Sequence, residues 1–194
     1  MTRIATLHLL GWIWSIFGIY WLAAGFKAKQ ARTSEMPLYR IVRLLILVIT
    51  FTLLFAKWTA IGPLGAWFRP RSQSLLDVGF VLAICGIALA LWARIHLGQY
   101  WSDKVVLKVD HQLVRTGPYA RLRHPIYSGV LLGVAGTALV LGEWRGVLAF
   151  VILLINYSIK ARREDEILAR AFEASFHDHK SHAGFLLPRL RPKS

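Results

Sequence analysis

Acidic residues and cysteine are scarce in this chain. Its 194 residues include 10 Asp and Glu against 24 Lys and Arg, a formal net charge of +14, and a single cysteine, Cys85. One cysteine can form neither an internal disulfide nor a cysteine metal cluster, and its position in an apolar run predicts a small core residue. A basic excess suggests nucleic acid in a soluble protein, but no soluble domain with a basic face is visible, so nucleic acid is not expected as a partner.

Hydrophobic sequence is what the chain has in abundance. Hydrophobic residues make up 56% of it, more than the roughly 45–50% usual in soluble domains. Five apolar segments are visible, at about 7–26, 41–60, 75–95, 126–141 and 144–159. The first three approach the ~20 residues that cross ~30 Å of hydrocarbon, and only Gly142 and Glu143 separate the last two. These segments predict an all-α integral membrane protein with about five transmembrane helices, of which spans four and five form a helical hairpin.

The basic residues lie mainly at the ends of the apolar segments. Segments 27–43, 94–123 and 160–163 are rich in Lys and Arg, and segment 57–73 carries three more. By the positive-inside rule, this distribution places the N-terminus outside and the C-terminus in the cytoplasm. The polar segments 96–125 and 160–194 then lie on the cytoplasmic face of the membrane. No small-residue cleavage site follows the first apolar run, so we expect it to be retained as a span.

The tail after the last apolar segment has a helical pattern. Apolar residues recur at helical spacing between residues 162 and 182, which predicts an amphipathic C-terminal helix on the cytoplasmic side. Three histidines fall near its end, at positions 177, 179 and 182. No cysteine or carboxylate completes a recognisable ligand spacing with them, so no metal is expected.

Two polar clusters interrupt this pattern. The stretch LVRTGPYARLRHPIYSG (113–129) leads into the fourth apolar segment, and Asn156, Lys160 and Glu164 follow one another at intervals of four near the end of the fifth. Residues four apart share a helix face, and polar groups at membrane depth usually face a bundle interior or a wet cavity. Because a hairpin joins the two clusters, we expect them to meet. The alternative is a juxtamembrane turn with positive-inside arginines and a separate, solvated charge run.

Three stretches carry a resemblance to a known family. LGQYWS (97–102), HQLVRTGPYARLRHPIY (111–127) and REDEILARAF (163–172) resemble the isoprenylcysteine carboxyl methyltransferase family, whose wider group includes phospholipid and thiol methyltransferases. The resemblance covers about residues 75–190. The motif His-x-Leu-Val-x-x-Gly-x-Tyr-x-x-x-Arg-His-Pro-x-Tyr is matched at every specified position. The resemblance implies a membrane methyltransferase that uses S-adenosylmethionine and methylates a lipophilic acceptor, such as the carboxylate of a prenylated cysteine.

The sequence shows no internal repeat and no linker long enough to divide the chain, and the family pattern implies a set of site residues. We expect one domain over 1–194, with spans 1–2 in 1–74 and a catalytic core in 75–194 that includes a motif loop (96–125) and the C-terminal helix (161–182). Lys160 and Glu164 would be catalytic, and Lys160 and Arg123 would bind the substrate. The implied cofactor contacts are His111, Gln112, Leu113, Val114, Tyr119, His124, Pro125, Ile126, Tyr127 and Glu164.

The chain departs from the usual family sequence at three places near the predicted site. Lys160 stands where an arginine is usual, Asp165 where a second glutamate is frequent, and Phe172-Glu173 where the family often has Phe-Gly. A lysine supplies a point charge but not the bidentate fork of an arginine. The expected partners are therefore membrane lipids and a lipophilic or lipidated substrate, whose identity the sequence leaves open among a prenylated cysteine, a phospholipid amine and a small thiol.

Two other classes of protein share some of these features. An NADPH-dependent sterol-type membrane reductase would resemble the same C-terminal region, but no second basic cluster is visible for a 2′-phosphate. A membrane scaffold or lipid-binding protein would keep the apolar segments, and it would have no reason to bring His124 and Glu164 together.

Overall fold

The computed structural model describes residues 1–26, 37–98 and 113–189. These form five α-helices: α1 (Arg3–Phe26), α2 (Pro37–Phe55), α3 (Gln73–Leu97), α4 (Pro125–Leu141) and α5 (Trp144–His182). The described ranges contain no β-strand, only two isolated bridges. The predicted all-α fold is confirmed.

Several of the helices are suited to a membrane. Three contain segments long and apolar enough to cross a bilayer, over Arg3–Ala24, Gln73–Leu97 and Trp144–His182, and the apolar helical segments Ile41–Phe55 and Pro125–Leu141 are shorter. The outer faces of the helices carry exposed Ile, Leu, Val and Trp side chains, as expected where lipid is the solvent. The chain is an integral membrane protein.

Two helix boundaries differ from those predicted. The second span was expected to reach residue 60, but α2 ends at Phe55, and two short 3₁₀ turns follow at Lys57–Thr59 and Gly62–Gly65. The expected fifth span and C-terminal helix are joined in α5, which is regular up to a break in the helical backbone at Glu173 (φ 35°, ψ −111°) and continues after it to His182. A helix that continues past the apolar hairpin carries Lys160 and Glu164 on a regular backbone, which fixes their spacing.

Helices α3 and α4 pack backbone against backbone. A Cβ on Gly79 would lie 2.9 Å from the carbonyl oxygen of Gly136, and one on Gly129 would lie 2.6 Å from the amide nitrogen of Ala90. Small residues allow such close approach, which favours helix association in lipid, where the hydrophobic effect between helices is weak. This face of α3 is the buried one. Cys85 lies on its exposed side, so the expectation that Cys85 is a core residue was wrong.

Buried arginines hold the helix ends together at the side of the bundle where α1 begins. Arg69 donates to the carbonyl of Leu139 at 2.6 Å, near the end of α4, and Arg145 donates to the carbonyl of Ala56 at 2.7 Å, just after α2. Cations favour helix C-termini because the unpaired carbonyls there carry partial negative charge. Arg69 and Arg145 therefore stabilise the packing of the helix ends, a structural role that the loop-charge pattern did not predict.

Glu143, in the turn of the hairpin, joins the same end of the bundle to α1. Its carboxylate lies 2.8 Å from Arg3 Nη1 and 2.7 Å from Arg145 Nε. Burial alone would raise the pKa of Glu143, but the hydrogen bonds and charges of the two arginines outweigh it, so the pKa is lowered. The start of α1, the end of α2 and the hairpin turn thus share one end of the bundle, and the beginning of α4 lies at the other.

Candidate active site

The motif loop reaches the start of α4 through a tight turn against α3. Gly117 has φ 57°, and a Cβ there would lie 2.7 Å from the His96 ring, so both the backbone and the space favour glycine. The 3₁₀ turn Gly117–Ala120 buries Tyr119, whose hydroxyl donates to the carbonyl of Ala93 at 3.4 Å. Burial, with a smaller contribution from the charge of Glu164, raises the pKa of Tyr119 well above its usual value.

His124, the residue just before α4, bridges two carboxylates of α5. Its Nε2 lies 2.9 Å from Asp165 Oδ1 and its Nδ1 lies 3.5 Å from Glu164 Oε2. The side chain is 4% exposed. Burial alone would lower the pKa of His124, but the hydrogen bonds to Asp165 and Glu164, together with their charges, outweigh it and raise the pKa. The imidazole is thus stabilised in its charged form, and it fixes the start of α4 against α5.

Glu164 is the centre of the polar cluster. The Tyr127 hydroxyl donates to its Oε1 at 2.6 Å, and Lys160 Nζ lies 4.0 Å from the same oxygen. Lys160 also lies over the Tyr127 ring, 5.3 Å from its centroid, and the Tyr157 ring is 4.8 Å from that of Tyr127. The carboxylate is 22% exposed. The prediction that the motif loop and the polar face of α5 meet is therefore confirmed.

Arg123 lies on the Asp165 side of this cluster. Its Nη2 is 3.3 Å from Asp165 Oδ2, and its guanidinium lies over the Phe185 ring at 5.4 Å. The same ring packs edge-on against His124 at 5.4 Å. The segment after α5 holds this arrangement, because the amide of Arg123 donates to the carbonyl of Gly184 at 2.9 Å.

Sequence reasoning assigned no role to Asp165 or Phe185. Asp165 follows Glu164 directly and was noted only as a departure from the family pattern. Phe185 lies beyond the break in α5, and only the return of the chain toward the motif loop brings it to His124. No pattern in the sequence signals that return.

Four of the remaining predicted cofactor contacts, all of them apolar, lie within the described residues. Pro125 and Ile126 are buried in the first turn of α4, and Val114 packs against the cluster that contains Tyr119 and Ile126. Leu113 is partly buried. The predicted contacts His111 and Gln112 lie outside the described residues. Within the described ranges, no group of three or more His, Cys, Asp or Glu side chains could hold a metal ion.

These features define a class of protein: an all-helical membrane protein with a partly buried carboxylate cluster at the open end of a helical hairpin. The chain belongs to the phospholipid methyltransferase family, whose model matches residues 75–175. The matched region begins in α3 and ends just beyond the break in α5, so it contains the whole polar cluster.

Two curated proteins are similar to this chain over more than half of its length. The chain is 32% identical to a cobalt-zinc-cadmium resistance protein of Cupriavidus metallidurans, over 74% of this chain and 61% of that protein. It is 32% identical to the protein-S-isoprenylcysteine O-methyltransferase of Saccharomyces cerevisiae, over 57% of this chain and 48% of that enzyme. The chain thus spans about half to three fifths of the length of these relatives.

The structural comparison points the same way. A eukaryotic intramembrane Ras methyltransferase, an isoprenylcysteine carboxyl methyltransferase, matches with a TM-score of 0.53 and 25% identity, over 81% of this chain and 54% of that one. The resemblance to this family is confirmed.

Proposed function

We propose that this chain is a membrane methyltransferase that transfers a methyl group from S-adenosylmethionine to a lipophilic acceptor such as the carboxylate of a prenylated cysteine. The observation that carries the proposal is Glu164, a partly buried carboxylate bound by Tyr127 and His124 at the end of an apolar hairpin. The family match and the two methyltransferases among the similar proteins support it.

The residues present fit the cofactor. A sulfonium is a cation, and both a carboxylate and the faces of aromatic rings attract cations. Glu164, Tyr127 and Tyr157 supply these groups within one small region. When bound, S-adenosylmethionine supplies an electrophilic methyl group, which a carboxylate oxygen accepts as the carbon–sulfur bond breaks and its electron pair stays on sulfur.

The protein's part in such a transfer is alignment and exclusion of water rather than acid–base chemistry, since a carboxylate acceptor has no proton to lose. Ile126 is part of a small apolar cluster against which Val114 and Tyr127 both pack, which places apolar surface beside the polar groups. His124 and Arg123 engage Asp165, which keeps the second carboxylate of α5 away from the acceptor. Lys160, 8% exposed, provides a positive charge for the acceptor's anionic group.

We further propose that the chain forms one domain and that its site faces the cytoplasm. The basic segments 27–43, 94–123 and 160–163 support this orientation through the positive-inside rule. The methyl group would then be transferred at the inner surface, where a lipid-like acceptor can approach from the bilayer.

A phospholipid amine is the second candidate acceptor. It is favoured by the name of the matching family, phospholipid methyltransferase, and by Lys160 in place of the arginine that suits a carboxylate. Against it, an amine must be neutral to attack the methyl group, and a buried lysine beside it offers no attraction.

The cofactor is tested by thermal unfolding of the full chain in detergent. S-adenosylmethionine should raise the unfolding temperature by mass action, and NADPH should leave it unchanged. Glu164→Gln should abolish most of the stabilisation by S-adenosylmethionine, since it removes the negative charge near the sulfonium. Glu166→Gln, an exposed position on the same helix, is the matched control and should behave like the parent. Stabilisation by NADPH alone would favour a reductase instead.

A further inference from the structure

Three arginines surround the Trp67 ring at the end of the bundle opposite the polar cluster. The guanidinium carbons of Arg3, Arg69 and Arg71 lie 4.7, 5.5 and 4.5 Å from the centroid of this ring. Arg69 is buried, whereas Arg71 is exposed and the side chain of Arg3 is 31% exposed. Two accessible guanidiniums therefore lie beside one aromatic ring.

Trp67 is held against the turn of the hairpin. It forms an isolated antiparallel bridge with Glu143, and the amide of Phe68 donates to the carbonyl of Gly142 at 3.1 Å. A Cβ on Gly142 would lie 2.9 Å from the Trp67 ring, so the ring packs directly on the backbone of the turn. The ring is therefore a fixed support for the arginines around it.

Positive charge exceeds negative charge at this end of the bundle. Within the described ranges, Glu143 is the carboxylate that these arginines contact, and Arg3 shares it with Arg145 at 2.8 and 2.7 Å. One negative charge thus faces four positive ones. Burial and, to a smaller extent, the charge of Arg3 lower the pKa of Arg69. Arg3 also begins α1, where the helix dipole disfavours a cation.

The arginines differ in the hydrogen bonds that they already make. Arg69 donates from Nε, Nη1 and Nη2 to backbone carbonyls, which is a structural role. Both hydrogen bonds of Arg3, to Leu141 and Glu143, come from Nη1. Arg71 contacts the Trp67 ring. Arg3 and Arg71 are therefore the members of the group that can bind a further anion.

This end of the bundle lies at the depth of the lipid headgroups. Helix α1 begins at Arg3 and α4 ends at Leu141, so the arginines lie where apolar helices stop. Trp58 and Trp144, near the same end, are 73% and 49% exposed, and tryptophan is enriched at membrane–water interfaces. The anion that is most concentrated at this depth is the phosphate of a phospholipid headgroup.

We propose that Arg3 and Arg71, supported by Trp67, bind the phosphate of an anionic phospholipid in the leaflet opposite the polar cluster. This site goes beyond the proposed methyl transfer and does not depend on it. The two guanidinium carbons are at most 9.2 Å apart, the sum of their distances of 4.7 and 4.5 Å from one centroid. One phosphate can bridge them with N–H···O bonds of about 2.9 Å, and the planar fork of arginine suits phosphate.

The excess of positive charge also selects the headgroup. Phosphatidylglycerol carries a net negative charge, whereas phosphatidylcholine adds a cation that the arginines repel. The test measures binding of these two lipids, with matched acyl chains, to the full chain in a neutral detergent by native mass spectrometry. Inorganic phosphate is added as a competitor at the concentration of the lipid.

The variants separate a built site from general attraction. Arg71→Gln removes one cation at an exposed position, and Arg71→Lys keeps the charge but not the fork. The matched control is Lys57→Gln, which removes an exposed cation at the same end of the bundle, just after α2. S-adenosylmethionine binding, measured on the same samples, should be unchanged in every variant, because the polar cluster lies at the other end.

We expect the parent and Lys57→Gln to bind phosphatidylglycerol about fivefold or more tightly than phosphatidylcholine, the scale of one basic residue beside an anionic lipid. Arg71→Gln should lose most of this preference, and Arg71→Lys should keep part of it. Inorganic phosphate should not displace the lipid, because it lacks the acyl chains that lie against the helices.

Four results would overturn the inference. The parent could show no preference, or the preference could persist in Arg71→Gln. Equal losses in Arg71→Gln and Lys57→Gln would indicate diffuse attraction to a basic surface instead of a site. Displacement by an equal concentration of inorganic phosphate would show that the occupant is a free anion and not a lipid.

Discussion

Lys160 and Glu164 lie one helical turn apart on α5, yet their surroundings differ. Glu164 accepts a hydrogen bond from Tyr127 and lies beside His124, whereas Lys160 lies over the Tyr127 ring and 4.0 Å from Glu164. An exposed pair at this spacing stabilises a helix by only about 0.2–0.5 kcal/mol. If that were its whole role, changing either residue would have small and similar effects.

The methyltransferase proposal predicts unequal effects for Lys160. Lys160→Ala should leave S-adenosylhomocysteine affinity within about twofold of the parent and lower the turnover of an anionic acceptor by about tenfold or more, since a charge contact to the acceptor is lost. Lys160→Arg should preserve or improve turnover, because its fork suits a carboxylate. Cofactor titration and product formation on the same preparations measure both. A silent Lys160→Ala would make a neutral acceptor, a thiol or an amine, the better proposal.

At the scale of single residues, the sequence predicted the central residues of the polar cluster but not those at its edge. His124, Tyr127 and Glu164 could be placed together because a short hairpin joins a fixed motif to a helix face with a period of four. Phe185 could not, because it reaches His124 through the return of the chain after α5. Such contacts leave no local pattern in the sequence.

Helix α5 has one residue in an unfavourable backbone conformation. Glu173 has φ 35°, whereas the residues of a right-handed helix have negative φ. A side chain in this region is strained, and glycine is not. The related family often has glycine after the phenylalanine that corresponds to Phe172, so the break in the helix gives that preference a physical reason.

Glu173→Gly should therefore stabilise the protein. The gain should be about 1 kcal/mol, the approximate cost of a left-handed conformation for a residue with a Cβ, and the thermal midpoint should rise by about 2–4 °C. Glu166→Gly, in the regular part of the same helix, should instead lower stability by about 1 kcal/mol. Thermal unfolding in detergent distinguishes them. Equal destabilisation by both would show that Glu173 is not strained.

The apolar segments of the sequence predicted the helices, but they predicted the ends of the helices less accurately. Apolar runs predicted all five helices, because crossing a bilayer demands long apolar segments. The early end of α2 and the continuation of α5 depend on tertiary contacts, such as the hydrogen bond from Arg145 to the carbonyl of Ala56. The exposed position of Cys85 depends on which face of α3 meets α4.

The whole molecule has two chemically distinct ends. Arg3, Glu143 and Arg145 join the start of α1 to the hairpin turn, and the motif loop meets the later part of α5 at the other end. Basic residues occur at both, but those of segment 57–73 include Arg69, which caps α4. The charge pattern that predicts orientation is therefore clearer once this structural arginine is set aside.

The proposed orientation predicts which residues a membrane-impermeant thiol reagent reaches. In a Cys85→Ala background, Ile61→Cys, at an exposed position near the hairpin turn, should be labelled on intact cells. Lys180→Cys, at an exposed position near the end of α5, should be labelled only after the cells are permeabilised. Labelling of Lys180→Cys from outside would reverse the orientation and place the site on the other face of the membrane.

The central claim is that the Glu164 cluster binds a methyl donor and supports transfer to a lipophilic acceptor. It is tested most directly by incubating the purified chain with S-adenosylmethionine labelled in its methyl group and with a lipid extract or N-acetyl-S-farnesylcysteine. The account predicts labelled product from the parent and from Glu166→Gln, and, at a subsaturating cofactor concentration, about tenfold or more less from Glu164→Gln, the scale of one lost charge interaction with the cofactor. No labelled product from the parent with any acceptor, or equal labelling by Glu164→Gln, would contradict it.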